Sequence, residues 1–272
     1  PLNKDVVLPF RWIQPGTFLM GERGGQRFAE PVHEVEIIEG FWLGETPVTQ
    51  EQYQALTGEN PSHFHEGEEA RRRPVEQVTW EQARAFSETL GERAGPGWHG
   101  DLPTEAQWEY ACRAGSESKF WHGGDEDAFD EVGWHRGNSS RQTQPVARKL
   151  ANPWGLYDMY GNVWEWCRDA WVDFAYRQRQ DGVQAPFVDG GENAPRVVRG
   201  GTIWNYPVRC RSAFRSWGTP VDRNGNLGFR AELFRRPAFE AEENGAQAVA
   251  AAEPASDRPD SAGPGSDNFE GE

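Results

Sequence analysis

Sulfur and long apolar runs are what this chain has least of. Its three cysteines, Cys112, Cys167 and Cys210, are an odd number without close spacing. No disulfide framework, Cys-x-x-Cys pair or zinc signature can be read from them. No apolar stretch approaches the ~18 residues that a membrane-spanning helix needs, so no such span is expected. G-x-G-x-x-G, P-loop and G-x-S-x-G patterns are missing as well, and with them any signal for a dinucleotide site, a phosphate cradle or a hydrolase nucleophile elbow. Pro1 opens the chain without an initiator methionine or a signal-like segment. It reads as a processed or excised piece whose address is not legible.

Tryptophan and glycine are plentiful instead: 13 Trp and 31 Gly in 272 residues, with 36% hydrophobic and 26% charged residues. Because aliphatic runs are few, Trp and Phe must supply much of the buried area, carried on Gly-rich irregular backbone. A loop-rich α+β fold follows rather than a helix bundle.

The net charge of −15 is uneven. Residues 237–272 hold nine acids against Arg258, a net of −8, in an Ala/Gly/Pro/Ser-rich context with almost nothing to bury. That composition reads as a disordered acidic tail following one domain over residues 1–236. Between Arg196 and Arg230 the sign reverses, with seven arginines facing Asp222 alone. Those arginines are either internal struts for the acidic body or an anion-attracting face. The overall charge disfavours nucleic acid as a partner.

Three helices announce themselves by S/T-x-x-E/Q spacing at Thr49/Gln52, Thr79/Gln82 and Thr104/Gln107. A capping box there satisfies the orphan N–H groups of a helix start, predicting helices over about 50–56, 80–94 and 105–113. Strands are expected in "FRWIQPGTFLMG" on either side of its Pro-Gly turn, in "VHEVEIIEGFWLGETPVT", and over about 163–166, 196–200, 209–215 and 227–234. Residues 115–152 read as a long irregular stretch.

Two segments carry candidate chemistry. In "GLYDMYGNVWEWCRD", Trp164 and Trp166 alternate around Glu165 as in a half-buried strand, and Asp158 lies across a Gly-Asn bend from that glutamate. Two carboxylates with backbone carbonyls between them suit a hard cation such as calcium. The same residues also suit a turn closed by Asx hydrogen bonds. His63-Phe64-His65 resembles a ligand pair, but no third ligand has a recognisable spacing.

"LPTEAQWEYACRAG", "NPWGLYDMYGNVWEWCRD", "RVVRGG" and "CRSAFRSWGTPVDRNGNLGFR", in that order, resemble the formylglycine-generating enzyme, or sulfatase-modifying factor, family. The resemblance runs from about Val7 to Phe234. It implies a single domain with a C-type-lectin-like α+β core: a small twisted antiparallel sheet, few helices and much irregular structure. It also implies one structural calcium site, formed by the side chains of Asp158 and Glu165 and the carbonyls of Gly161 and Val163.

The family's oxidases bind copper(I) through two thiolates shortly after a Gly-Gly, and the resemblance breaks there. In "GGTIWNYPVRCRSAFRS" the second thiolate position, six residues before Ala213, is Pro207, and the first falls in "IWN". No copper is therefore expected, and Cys112 and Cys167 are expected to pack as small apolar residues. What stands in the thiolates' place is Trp204, Asn205, Tyr206, Arg209, Arg211, Phe214, Ser216 and Trp217, residue types that dominate recognition surfaces. Trp204 is expected to lean into the core. The resulting expectation is a module that binds a protein, peptide or small molecule through residues 202–226. The segment also resembles the variable proteins of diversity-generating retroelements. The alternatives are a sulfatase-modifying or nonheme-metal oxidoreductase-like enzyme, and a regulatory domain excised from a larger protein.

Overall fold

A computed structural model describes residue 2 and residues 5–124 and 128–235. The acidic segment 237–272, read above as a disordered tail, lies outside the described residues. The chain enters through strands β1 (Phe10–Ile13), β2 (Gly16–Met20), β3 (His33–Ile37) and β4 (Phe41–Gly44). Helices α1 (Gln50–Thr57) and α2 (Trp80–Ala94), strand β5 (Trp98–Asp101), helix α3 (Glu105–Arg113) and the one-turn helix α4 (Phe129–Val132) follow. The second half is strand and loop: β6 (Trp164–Ala170), β7 (Val183–Gln184), β8 (Arg196–Arg199), β9 (Ser216–Gly218), β10 (Leu227–Gly228) and β11 (Glu232–Arg235).

All three capping boxes form as read from the sequence. Thr49, Thr79 and Thr104 each accept from the backbone N–H three residues on, and the glutamine there returns a bond to the threonine N–H. Each such cap is worth about 1 kcal/mol. Helix α1 stops at Gly58, which takes the left-handed conformation that favours glycine (φ 84°).

Among the described residues three small sheets result, in the orders β1-β4-β11-β5, β10-β6-β8-β9 and β2-β3-β7. Most pairs are antiparallel; β10 with β6 and β3 with β7 run parallel. The two strands around the Pro-Gly turn do not form a hairpin, because β1 pairs with β4 and β2 with β3. Two expectations change. The alternating stretch 209–215 is a 3-10 turn at Pro207–Arg209 followed by coil, with the strand starting only at Ser216. Residues 227–234 split into β10 and β11, which belong to different sheets.

Helix α3 sits at the centre, with eight of its nine residues buried. Helix α2 lies against β5 so closely that a Cβ on Gly91 would overlap the backbone of Gly100, so both positions need the bare backbone. Strand β6 is buried on both faces rather than half-buried, since it runs between β10 and β8. Trp164 and Trp166 enter one aromatic core with Trp80, Phe86 and Phe229; Trp108, Phe120 and Tyr160 belong to a second.

Burial on β11 has a measurable cost. The Glu232 side chain accepts from Gln107 Nε2 at 2.7 Å, and burial, reinforced by nearby Asp101, pushes its carboxyl up to about 8. A carboxyl held above its unfolded value near ~4.3 gives full stability below that pH and loses it as pH rises through the folded value. Glu232→Gln is therefore expected to leave the melting temperature unchanged near pH 4 and to raise it progressively up to pH 8 and above. Thermal scans across this range check it; a variant that melts lower than wild type at pH 8 refutes it.

Candidate functional site: an arginine-braced turn and a carboxylate bend

The seven arginines between Arg196 and Arg230 divide sharply. Arg199, Arg215 and Arg230 are essentially inaccessible, and each is braced by a carboxylate. Arg215 forks onto Glu105 (Nε–Oε1 2.6 Å, Nη2–Oε2 3.0 Å), Arg199 bridges to Glu109, and Arg230 forks onto Glu165 (Nε–Oε2 2.7 Å, Nη2–Oε1 2.8 Å). Glu109 also takes Arg113 and the N–H of Gly21. Burial alone would raise the Glu105 carboxyl, but Arg215 and Arg199 outweigh it and hold it at about 2. These residues are struts. Arg209 and Arg223 remain exposed.

The struts hold up the turn of residues 205–213. Arg199 donates to the carbonyl of Phe214 at 2.8 Å, Arg211 pairs with Glu22 at 2.7 Å and caps the Val208 carbonyl, and Asn205 Oδ1 accepts from Thr202 N–H. On one flank Arg136 N–H donates to the Asn205 carbonyl; on the other Ser212 N–H donates to the Lys119 carbonyl. Neither Glu22 nor Arg136 carried a local signal in the sequence, because their partners lie far along the chain.

The eight residues expected to contact a ligand therefore separate by role. Tyr206 is 61% exposed, Val208 beside it 45%, and Arg209 is exposed. Trp204, Phe214 and Trp217 are half-buried, so Trp204 lies only partly in the core. Asn205, Arg211 and Ser216 are buried, the first two in bonds that shape the turn. A cleft of about 660 Å³ opens next to it, lined by Glu22, Arg23, Lys119, Leu19 and Ala213 among others. Cys210, beneath the turn, is buried, and burial pushes its thiol up to about 12; burial raises Cys112 to about 12 and Cys167 well above its ordinary value.

The second feature is the bend at 158–165. Asp158 is buried in the left-handed conformation (φ 54°), and Gly161 takes φ 81° where a Cβ would overlap the Trp134 carbonyl. Asp158 Oδ2 accepts from Ala147 N–H at 2.8 Å, while Oδ1 is buried without a partner. Burial pushes this carboxyl up to about 6. Glu165 Oε2 is filled by Arg230 and by Trp108 Nε1–H at 2.7 Å, whereas Oε1 takes a single donor and keeps one acceptor position. An orphaned carboxylate oxygen and a half-used one are the donor types that calcium takes, so the residues fit that ion. Among the described residues no three His, Cys, Asp or Glu side chains gather as metal ligands, and His65 instead bonds the Ser62 carbonyl.

Residues 6–232 match the family described as the sulfatase-modifying factor enzyme 1-like domain. The chain belongs to this family. Formylglycine-generating enzyme of Streptomyces coelicolor is 36% identical over 176 residues, 58% of this chain and 51% of that protein. Serine/threonine-protein kinase pkn1 of Chlamydia caviae is 32% identical over 256 aligned positions, 85% of this chain. The chain spans only 38% of that kinase's length. Among solved structures, Treponema denticola variable protein 1 superposes with a TM-score of 0.75 at 29% identity, covering 86% of this chain and 97% of its own. The C-type-lectin-like α+β architecture expected of a sulfatase-modifying factor domain is thus the one observed. No helix among the described residues is long and apolar enough to cross a membrane.

Proposed function

We propose that this sulfatase-modifying factor domain is a binding module whose contact surface is the segment 202–226, with Tyr206, Arg209, Trp204, Phe214 and Trp217 as contact residues. The observation that carries this reading is the division of labour in the turn. Buried arginines and Asn205 fix the backbone, leaving Tyr206, Val208 and Arg209 exposed on a rigid base. Preorganised aromatics beside a guanidinium give large contact area at low entropy cost. The similarity to a variable protein supports the same reading, including diversification of this segment. A near-copy of the codons for Thr202–Arg230 beside a reverse transcriptase gene would support diversification; a locus with neither counts against it.

Selection of a displayed peptide library on the purified chain tests the surface. Binders are expected to lose about thirtyfold or more in affinity with Tyr206→Ala, the scale of a hot-spot aromatic, while the melting temperature stays within a few degrees. Binders that ignore Tyr206→Ala and Arg209→Ala alike would place recognition elsewhere. A second reading, a regulatory module within a larger protein, is favoured by the kinase relative, whose match covers 85% of this chain. In either reading a calcium ion at Asp158, Gly161, Val163 and Glu165 is structural. When bound, it supplies positive charge to the buried carboxylates and ties together the two ends of the bend.

A further inference from the structure

Phe174 departs from the backbone expected of a bulky residue. It takes the left-handed conformation (φ 58°, ψ 27°) just before the 3-10 turn Ala175–Gln178, a region that large side chains rarely adopt. Such strain persists only where surrounding structure over-determines it, and it gathers at functional sites. Here the contacts that hold it are aromatic. The Phe174 ring packs on Phe28 with centres 5.4 Å apart, and Phe28 packs on Trp171 at 5.3 Å. Phe28 belongs to a second 3-10 turn, Arg27–Ala29, which lies against the first.

Two arginines converge on the same ring. The Arg27 guanidinium carbon is 5.8 Å from the centre of Phe174 and 4.6 Å from that of Phe28, and the Arg177 carbon is 4.2 Å from the centre of Phe174. Both arginines are exposed. Unlike the buried struts, neither pairs with a carboxylate among the described residues. The acids of the adjoining segments are engaged elsewhere: Asp173 accepts from Trp171 Nε1–H at 2.8 Å, Asp181 from Glu34 N–H at 3.0 Å and Glu30 from Gly24 N–H at 2.7 Å. A guanidinium stacked on a ring keeps its in-plane N–H donors free for an oxyanion. Because the ring already restricts each arginine, less side-chain freedom is lost on binding.

The geometry points to a phosphate-binding site at Arg27, Phe174 and Arg177 that takes a phosphorylated side chain of a peptide. A phosphomonoester carries nearly two charges and three acceptor oxygens, which two guanidiniums match in charge and in fork geometry. The net charge of −15 disfavours an extended polyanion such as nucleic acid, whereas an isolated phosphate meets chiefly the local cations. Gln26, next to Arg27, exchanges two hydrogen bonds of 2.9 Å with the Arg215 backbone, which ties the site to the end of the 202–226 segment that carries Trp217. The site uses none of the contact residues proposed above, so the two readings fail separately.

The test is fluorescence anisotropy on the full chain with a labelled phosphotyrosine peptide, its unphosphorylated twin, and inorganic phosphate and a single-stranded oligonucleotide as competitors. The phosphopeptide is expected to bind about tenfold tighter than its twin, and Arg27→Ala and Arg177→Ala each to weaken it about tenfold, the scale of a charge-assisted hydrogen bond. Arg177→Lys, which keeps the charge but not the fork or the stacking, should recover only part of that loss. The melting temperature should not move, because both side chains are exposed. Tyr206→Ala should leave phosphopeptide binding unchanged. Equal binding of the two peptides, or affinity indifferent to both alanine substitutions, would overturn the site. So would inorganic phosphate competing as well as the phosphopeptide, which would mean an adventitious ion only, or an oligonucleotide competing better than it. Binding that falls with Tyr206→Ala but with neither arginine would belong to the turn and overturn it as well.

Discussion

Arg215→Ala is expected to lower the unfolding free energy by about 3–5 kcal/mol, because it leaves Glu105 buried without its principal counter-charge. In the native protein Arg215 satisfies both oxygens of Glu105, donates to the Phe28 carbonyl at 2.7 Å and lies against the rings of Trp171 and Tyr176. Arg199, the other cation near Glu105, approaches only to 3.8 Å. Arg215→Lys keeps the charge but not the planar fork, so a smaller loss is expected. The pH dependence separates this mechanism from simple loss of packing. Glu105, held at about 2, contributes stability that is present above its unfolded value near ~4.3 and is lost as pH falls toward 2. In Arg215→Ala that contribution is gone at every pH. The stability gap between wild type and variant should therefore be widest at neutral pH and narrow below ~4.3; a gap constant from pH 7 to pH 3 in denaturant titrations would assign the loss to packing instead.

That ion pair also shows where sequence reading stops. The capping boxes were legible because every partner lies within three residues, and all three helices begin at the threonine that the spacing marks. Glu105 and Arg215 are 110 positions apart, and nothing local distinguishes a strut from an exposed arginine. Their buried carboxylate partners are what make Arg199, Arg215 and Arg230 struts. Residues 209–215 depart from the expected strand for a related reason: Arg209, Arg211 and Arg215 alternate with small and apolar residues as a strand would. The backbone instead turns at Pro207, because Arg211 bonds back to Val208 and across to Glu22. The same bonds bury Asn205 and Arg211, which residue type alone had put among the ligand contacts. Four separate motifs carried the family, by contrast, because side chains such as Trp108, Glu165 and Arg230, far apart along the chain, meet in one buried network.

Chelation is expected to lower the melting temperature of the purified protein, and added calcium to restore it. An ion that binds the folded state alone adds about 2.7 kcal/mol at a hundredfold excess over its dissociation constant, or roughly 5–11 °C for a domain of this size. The bend would gain this much because it feeds Trp164 and Trp166 into the aromatic core, while Asp158 keeps an oxygen without a partner. Glu165→Gln is a poor probe of the ion, since it would leave the buried Arg230 facing a neutral amide. Asp158→Ala is the better one. It removes the orphaned oxygen at a cost of about 1–2 kcal/mol for a left-handed alanine plus about 1 kcal/mol for the lost bond from the Ala147 N–H, and it should abolish the calcium response. Trp164→Ala, expected to cost about 3–5 kcal/mol through its cavity, should melt lower yet still respond to calcium if it remains folded. If chelator leaves wild-type melting unchanged and elemental analysis finds no calcium, the bend is held by its own hydrogen bonds, with Asp158 closing on the Ala147 N–H and the side chain of Asn162 on the backbone of Gln144.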